Sequence, residues 1–104
     1  MFTKKKPGSG GGKPVKPQYP PNTTIPVNLK AEAKPGDGIY LTWDDIPEAT
    51  TYWTYRNGQV IAIQPPNYFH DVYVTPGVSY VYEIASIVAE ILGNKSAPVT
   101  ITAQ

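Results

Sequence analysis

The sequence predicts an all-β fold: a seven-stranded antiparallel sandwich behind an extended N-terminal arm. Three observations lead there. From Val27 onward, apolar residues recur at every second position, the period of a strand with one buried face. Turn signals interrupt the chain at intervals of roughly 8–12 residues. No part of that region carries a convincing helical period.

The elements follow in order. Val27, Leu29, Ala31 and Ala33 alternate with polar residues and end at the turn cluster Pro35-Gly36-Asp37-Gly38. Ile39, Leu41 and Trp43 then alternate with Tyr40, Thr42 and Asp44. Residues 51–56, TYWTYR, are strand formers and run into Asn57-Gly58. Asn-Gly between β-prone runs signals a two-residue hairpin, because both central residues of a type I′ turn need positive φ. GQVIAI is the returning strand, and Pro65-Pro66 stops it, since proline donates nothing to a ladder. NYFHDVYV, SYVYEIASIV and APVTITA supply the last three strands. Segment 84–93, IASIVAEILG, has some local helix propensity but reads as a strand running into a hairpin tip. The alternation points Leu29, Ala31, Ile39, Leu41, Trp43, Tyr52, Thr54, Ile61, Tyr80, Tyr82, Ile84, Val99 and Ile101 inward.

The chain divides into residues 1–26, a basic Pro/Gly-rich arm, and residues 27–104, the sandwich. Its 104 residues carry a net charge of +1, but the two signs are segregated. The arm holds Lys4, Lys5, Lys6, Lys13 and Lys16 and no acid, so it is +5. The body sets four cations against eight acids, so it is −4. Six of the twelve prolines lie in the arm, and its few large apolar residues, Tyr19 among them, are too scattered to form a core. Such a segment cannot bury enough surface to fold alone in water.

Several function classes are excluded or disfavoured. The arm's lysines run straight into PGSGGGKP, with no apolar stretch of the kind a signal peptide needs. No run approaches the ~20 apolar residues of a membrane span, so no membrane partner is expected. Gly12-Lys13 fails as a phosphate loop, because Pro7 and Pro14 occupy the required Gly and Ser/Thr positions. Cysteine is absent, and His70 is the only histidine, which leaves no convergent ligand set for a metal. Asp44 and Asp45 are neighbours on a strand and point to opposite faces, which suits solvation better than paired acid–base work. Catalytic residues, metal and cofactor are therefore all expected to be none. The arm lacks the arginines and interleaved aromatics of a nucleic-acid surface, and an acidic body opposes one.

The ordered pieces Pro26-x-x-Leu29, Ile39-x-Leu41-x-Trp43, Ala49–Gly58, Tyr68 with Asp71, Val74-x-Pro76-Gly77-x-x-Tyr80-x-Tyr82, and Gly93-Asn94-Lys95-Ser96 together resemble the fibronectin type III domain in its bacterial and phage form. The resemblance covers about residues 26–103. It implies a seven-stranded immunoglobulin-like sandwich in which Trp43, Tyr52, Tyr80 and Tyr82 are structural. Tyr80 would be the tyrosine of a corner motif, its hydroxyl bonded to backbone upstream. Two positions depart from the family pattern: Thr54, where an aliphatic residue is usual, and Ile91-Leu92, in a loop that is usually polar.

Two surface features stand out. With Tyr52 and Thr54 inward, Trp53 and Tyr55 point outward, and an outward Trp–Tyr pair is enriched at contact sites. Ile91-Leu92 is the second. Trp53 and Tyr55 mark a partner contact or are covered by the arm or a neighbouring strand; Ile91-Leu92 mark a contact or belong to strands that run longer than the turn signals suggest. The expected function is a non-catalytic structural or attachment protein: a small phage virion protein, such as a capsid decoration or head or tail accessory protein. Residues 1–26, through their five lysines and Tyr19, would grip a major capsid or other virion protein. The alternative is a spacer or carbohydrate-binding module of a secreted bacterial polysaccharide-degrading enzyme, with Trp53 and Tyr55 contacting a glycan, cell-surface glycan included.

Overall fold

A computed structural model describes residues 21–104, and in them eight strands build two facing sheets. These are β1 (Lys30–Lys34), β2 (Gly38–Thr42), β3 (Ala49–Arg56), β4 (Gln59–Gln64), β5 (Tyr68–Asp71), β6 (Ser79–Val88), β7 (Ile91–Leu92) and β8 (Val99–Thr102). One sheet has the order β1-β2-β5. The other has the order β4-β3-β6-β7, with β8 also paired to β6, and every pairing is antiparallel.

The all-β sandwich is present, but the count is eight rather than seven. The added strand comes from the tip that the sequence left open. β6 runs to Val88, turns through Ala89-Glu90, and returns as Ile91-Leu92, with Leu92 opposite Ile87. The strand after that tip is split, β7 meeting the late half of β6 and β8 the early half. Ser96 bridges the gap. Its backbone N–H donates to Ile84 O at 2.7 Å, and its hydroxyl accepts from Ile84 N at 3.0 Å, so a side chain replaces one rung of the ladder.

Strand ends also differ from the alternation. β1 starts at Lys30, not Val27, because Asn28 turns the chain at φ 59° and leaves Val27 exposed. β5 stops at Asp71, beyond which Val72 and Tyr73 are exposed. The Asn57-Gly58 turn has φ of 53° and 83°, the two positive values that its sequence demands.

The core is Ile39, Leu41, Trp43, Tyr52, Tyr82, Ile84 and Ala103, with Leu29, Ala31, Ile61, Phe69, Tyr80 and Ile101 packed around it. Trp43 meets Tyr52 edge-on at 5.4 Å between ring centroids. Each of the large side chains buried here contributes about 1.5–3 kcal/mol. The Tyr80 hydroxyl accepts from Thr75 N at 2.8 Å, tying β6 back to the preceding turn.

A buried ionic cluster joins the two sheets. Asp71, on β5, is 1% exposed. It accepts from Arg56 Nη1 on β3 at 2.8 and 3.0 Å, from the Tyr82 hydroxyl on β6 at 2.7 Å, and from Tyr73 N at 3.1 Å. Burial and the Asp71 carboxylate together push the Tyr82 phenol far above its ordinary pKa.

Residues 22–26 belong to this body, so the expected boundary after residue 26 falls inside a packed segment. Asn22 Nδ2 donates to Ser86 O at 3.0 Å and Ile91 O at 2.9 Å, and Thr24 Oγ1 lies 2.7 Å from Ser86 Oγ. Pro26 is fully buried. Gly93 makes the close approach possible: a Cβ there would stand 2.8 Å from Asn22 Nδ2 and 2.9 Å from Thr24 O.

Candidate functional site

The pairing registers place Trp53 between Ile63 of β4 and Ala85 of β6, and Tyr55 between Val60 and Glu83. Tyr52 and Thr54 are in the core, so Trp53, Tyr55 and these cross-strand partners line the outer face of the five-stranded sheet. Farther across, Leu92 sits opposite Ile87 on the same face. The result is an apolar stripe across four strands. Ile63 is 57% exposed, and Val60 and Leu92 are less open at 42% and 40%.

The four expected contact residues divide. Trp53 is half-buried on the stripe. Tyr55 faces outward but is only 7% exposed. Lys95 lies over its ring at 4.2 Å and reaches Glu83 at 3.9 Å, and Trp53 flanks it at 6.4 Å. Burial and Glu83 raise the Tyr55 pKa. Ile91 and Leu92, adjacent on a strand, point to opposite faces: Leu92 lies on the stripe, while Ile91 gives its carbonyl to Asn22. Lys4, Lys5, Lys6, Lys13, Lys16 and Tyr19 lie outside the described residues.

Val60, Ile63 and Ile87 escaped the sequence reading. A bulge between Thr54 and Tyr55 leaves Ile61 unpaired and packed against the core, so Val60 and Ile63 share one face three residues apart. Strict alternation hides that.

The polar groups considered for chemistry have structural partners. His70 stacks on Tyr40 at 3.9 Å and bonds the Asp37 carbonyl through Nε2, and the Tyr40 hydroxyl donates to Asp37 Oδ2 at 2.6 Å. Asp44 accepts from Asn28, and Asp45 from the Tyr52 hydroxyl. No group of three His, Cys, Asp or Glu side chains among the described residues gathers to hold a metal.

Two antiparallel sheets, a core tryptophan between them and a tyrosine corner on β6 set the terms for comparison with known proteins. No protein-family model matches the sequence, and no curated protein matches it either. Solved structures do. A Fn3-like protein from Clostridium thermocellum superposes with TM-score 0.69 at 23% identity, covering 76% of this chain and 91% of its own. The fold is fibronectin type III-like. A human FNIII domain gives TM-score 0.69 at 19% identity over 92% of each chain. A Family 28 exopolygalacturonase from Yersinia enterocolitica gives 0.68 at 16% identity over 78% of this chain, which spans only 20% of that enzyme. In this fibronectin type III-like body the apolar stripe and the 22–26 segment meet at the β6–β7 hairpin.

Proposed function

We propose that the protein is a non-catalytic attachment module, held to a partner protein by residues 1–20 and presenting the outer face of its five-stranded sheet. The observation that carries this is the stripe of Trp53, Ile63, Ile87 and Leu92: Ile63 and Leu92 are exposed, Trp53 and Ile87 half-buried, and no described element packs over the face. Contiguous exposed apolar surface of this kind marks contact sites. The setting we propose is a phage virion, with the arm running along an acidic groove of a major capsid protein. Supporting it are the five lysines and no acid in the arm, against a body of −4. Twenty extended residues reach about 60 Å, enough to cross a subunit boundary. Each exposed lysine pair adds only about 0.2–1 kcal/mol, so tight attachment comes from many copies on a symmetric shell.

Deleting residues 1–20 tests the reading. The truncated protein is expected to melt like the full chain but to be missing from purified particles that retain the full chain. Its retention refutes the proposal. The deletion stops at residue 20 because Asn22 and Pro26 pack on the body.

A second reading is favoured by the likeness to part of an exopolygalacturonase. There the chain is an accessory module binding an acidic plant polysaccharide, for which five lysines and Trp53 are suited. Co-sedimentation with polygalacturonate that is lost in Trp53→Ala supports it over the virion setting.

A further inference from the structure

β4 is an edge of the five-stranded sheet; among the described residues only β3 pairs with it. Edge strands normally carry guards against pairing with another chain: charge, proline, very short length, or a bulge that twists the edge away. The other edges have them. β1 exposes Lys30, Glu32 and Lys34. β5 and β8 have four residues each and β7 two. β4 has six residues, QVIAIQ, with no charge and no proline; its one irregularity is the bulge at Ile61, which leaves Val60 and Ile63 on one face.

We propose that β4 pairs antiparallel with β4 of a second copy about a two-fold axis, joining the two five-stranded sheets edge to edge. A two-fold contact is isologous, so the surface must complement itself. Centred between Ile61 and Ala62, the register sets Gln59 against the partner's Gln64, Val60 against the partner's Ile63, and Ile61 against the partner's Ala62. Each pair is of one kind and on one face. Val60 and Ile63 stand opposite Tyr55 and Trp53 on the outer face. Gln59 and Gln64 stand opposite Arg56 and Tyr52 on the inner face, Ala62 stands opposite Thr54, and Ile61 packs on the core. The bulge at Ile61 makes this symmetry possible, because it alone brings Val60 and Ile63 to the same side.

The charge pattern selects a second copy as occupant. An uncharged strand meets its own image without opposing like charges, whereas the same operation on β1 would bring Lys30, Glu32 and Lys34 into one contact. The N-terminal segment is a poor competitor. Pro7, Pro14, Pro17, Pro20 and Pro21 remove ladder donors along it. Across the axis, Val60 and Ile63 of both copies form one apolar patch that extends the stripe at Trp53.

Sedimentation velocity of the full chain over a concentration series is the test. The expected result is a monomer–dimer equilibrium, lost in Ile63→Lys while the melting temperature taken below the dimerising concentration stays put, since Ile63 is 57% exposed. The chain has no cysteine, so a double variant carrying Val60→Cys and Ile63→Cys, run beside the two single variants, reports the register: only the double sets thiols opposite each other across the axis. Under oxidation it is expected to run as a disulfide-linked dimer on a non-reducing gel. A chain that stays monomeric, a dimer indifferent to Ile63→Lys, or a double variant that does not cross-link overturns the proposal.

Discussion

Asp71 is where a single side chain matters most. It satisfies Arg56, Tyr82 and the Tyr73 backbone at once, and does so between sheets. Asp71→Ala takes their shared acceptor from the buried Tyr82 phenol and the partly exposed Arg56 guanidinium. It is expected to cost about 3 kcal/mol, read as a drop in the urea midpoint. Asp71 was legible only as part of the fibronectin type III-like pattern; its burial was not, because a charged residue on an alternating strand reads as solvent-facing. Thr54 is the reverse case: the departure from an aliphatic residue was visible, and the structure shows its consequence. Its hydroxyl is fully buried and finds no hydrogen-bond partner among the described residues. Thr54→Val keeps the shape and removes the unpaired group, so it is expected to stabilise by about 1 kcal/mol in the same assay. The buried tyrosines set the alkaline limit. Tyr52, Tyr55 and Tyr82 all have raised pKa values, chiefly from burial. Their contribution is fully present below the unfolded tyrosine pKa of about 10 and is lost as pH rises toward the folded values. Tyr82, whose shift is large, then costs up to about 1.4 kcal/mol per pH unit. Between about pH 9 and about pH 11, Tyr82→Phe is expected to lose less stability than the parent.

The β6–β7 hairpin holds its tip in an uncomfortable backbone conformation. Its turn residues, Ala89 and Glu90, both sit at positive φ, 50° and 66°, where neither is at ease. Ala89→Asn with Glu90→Gly supplies the residues that a type I′ turn favours, and is expected to raise the melting temperature by a few degrees, equivalent to about 1 kcal/mol. Asn57-Gly58 was legible for the same reason that this turn was not: one has the residues its geometry calls for, the other only the geometry. Gly93 shows a similar limit. It read as part of a loop motif, yet its role is to leave room for Asn22 and Thr24, which lie about seventy positions earlier in the chain. Gly93→Ala must push back the Thr24 carbonyl and is expected to cost about 1–3 kcal/mol.

For the molecule as a whole, period-two alternation and turn chemistry were enough to establish two β-sheets and most of the core. The eighth strand was missed because two residues carry no periodicity. The stripe was half legible. Trp53 and Tyr55 followed from alternation, but the bulge that adds Val60 and Ile63, and the lysine that closes over Tyr55, arise only when distant segments meet. The separation of charge between arm and body needed no structure at all.

The bonds from Asn22 and Thr24 to Ser86 bear on mechanics. Tension applied to the leading peptide does not first reach β1, where the chain could peel away rung by rung. It arrives at β6, flanked by β3 on one side and by β7 and β8 on the other. The sandwich is thus tethered through an interior strand, and a tug from outside is spread over several ladders instead of opening one.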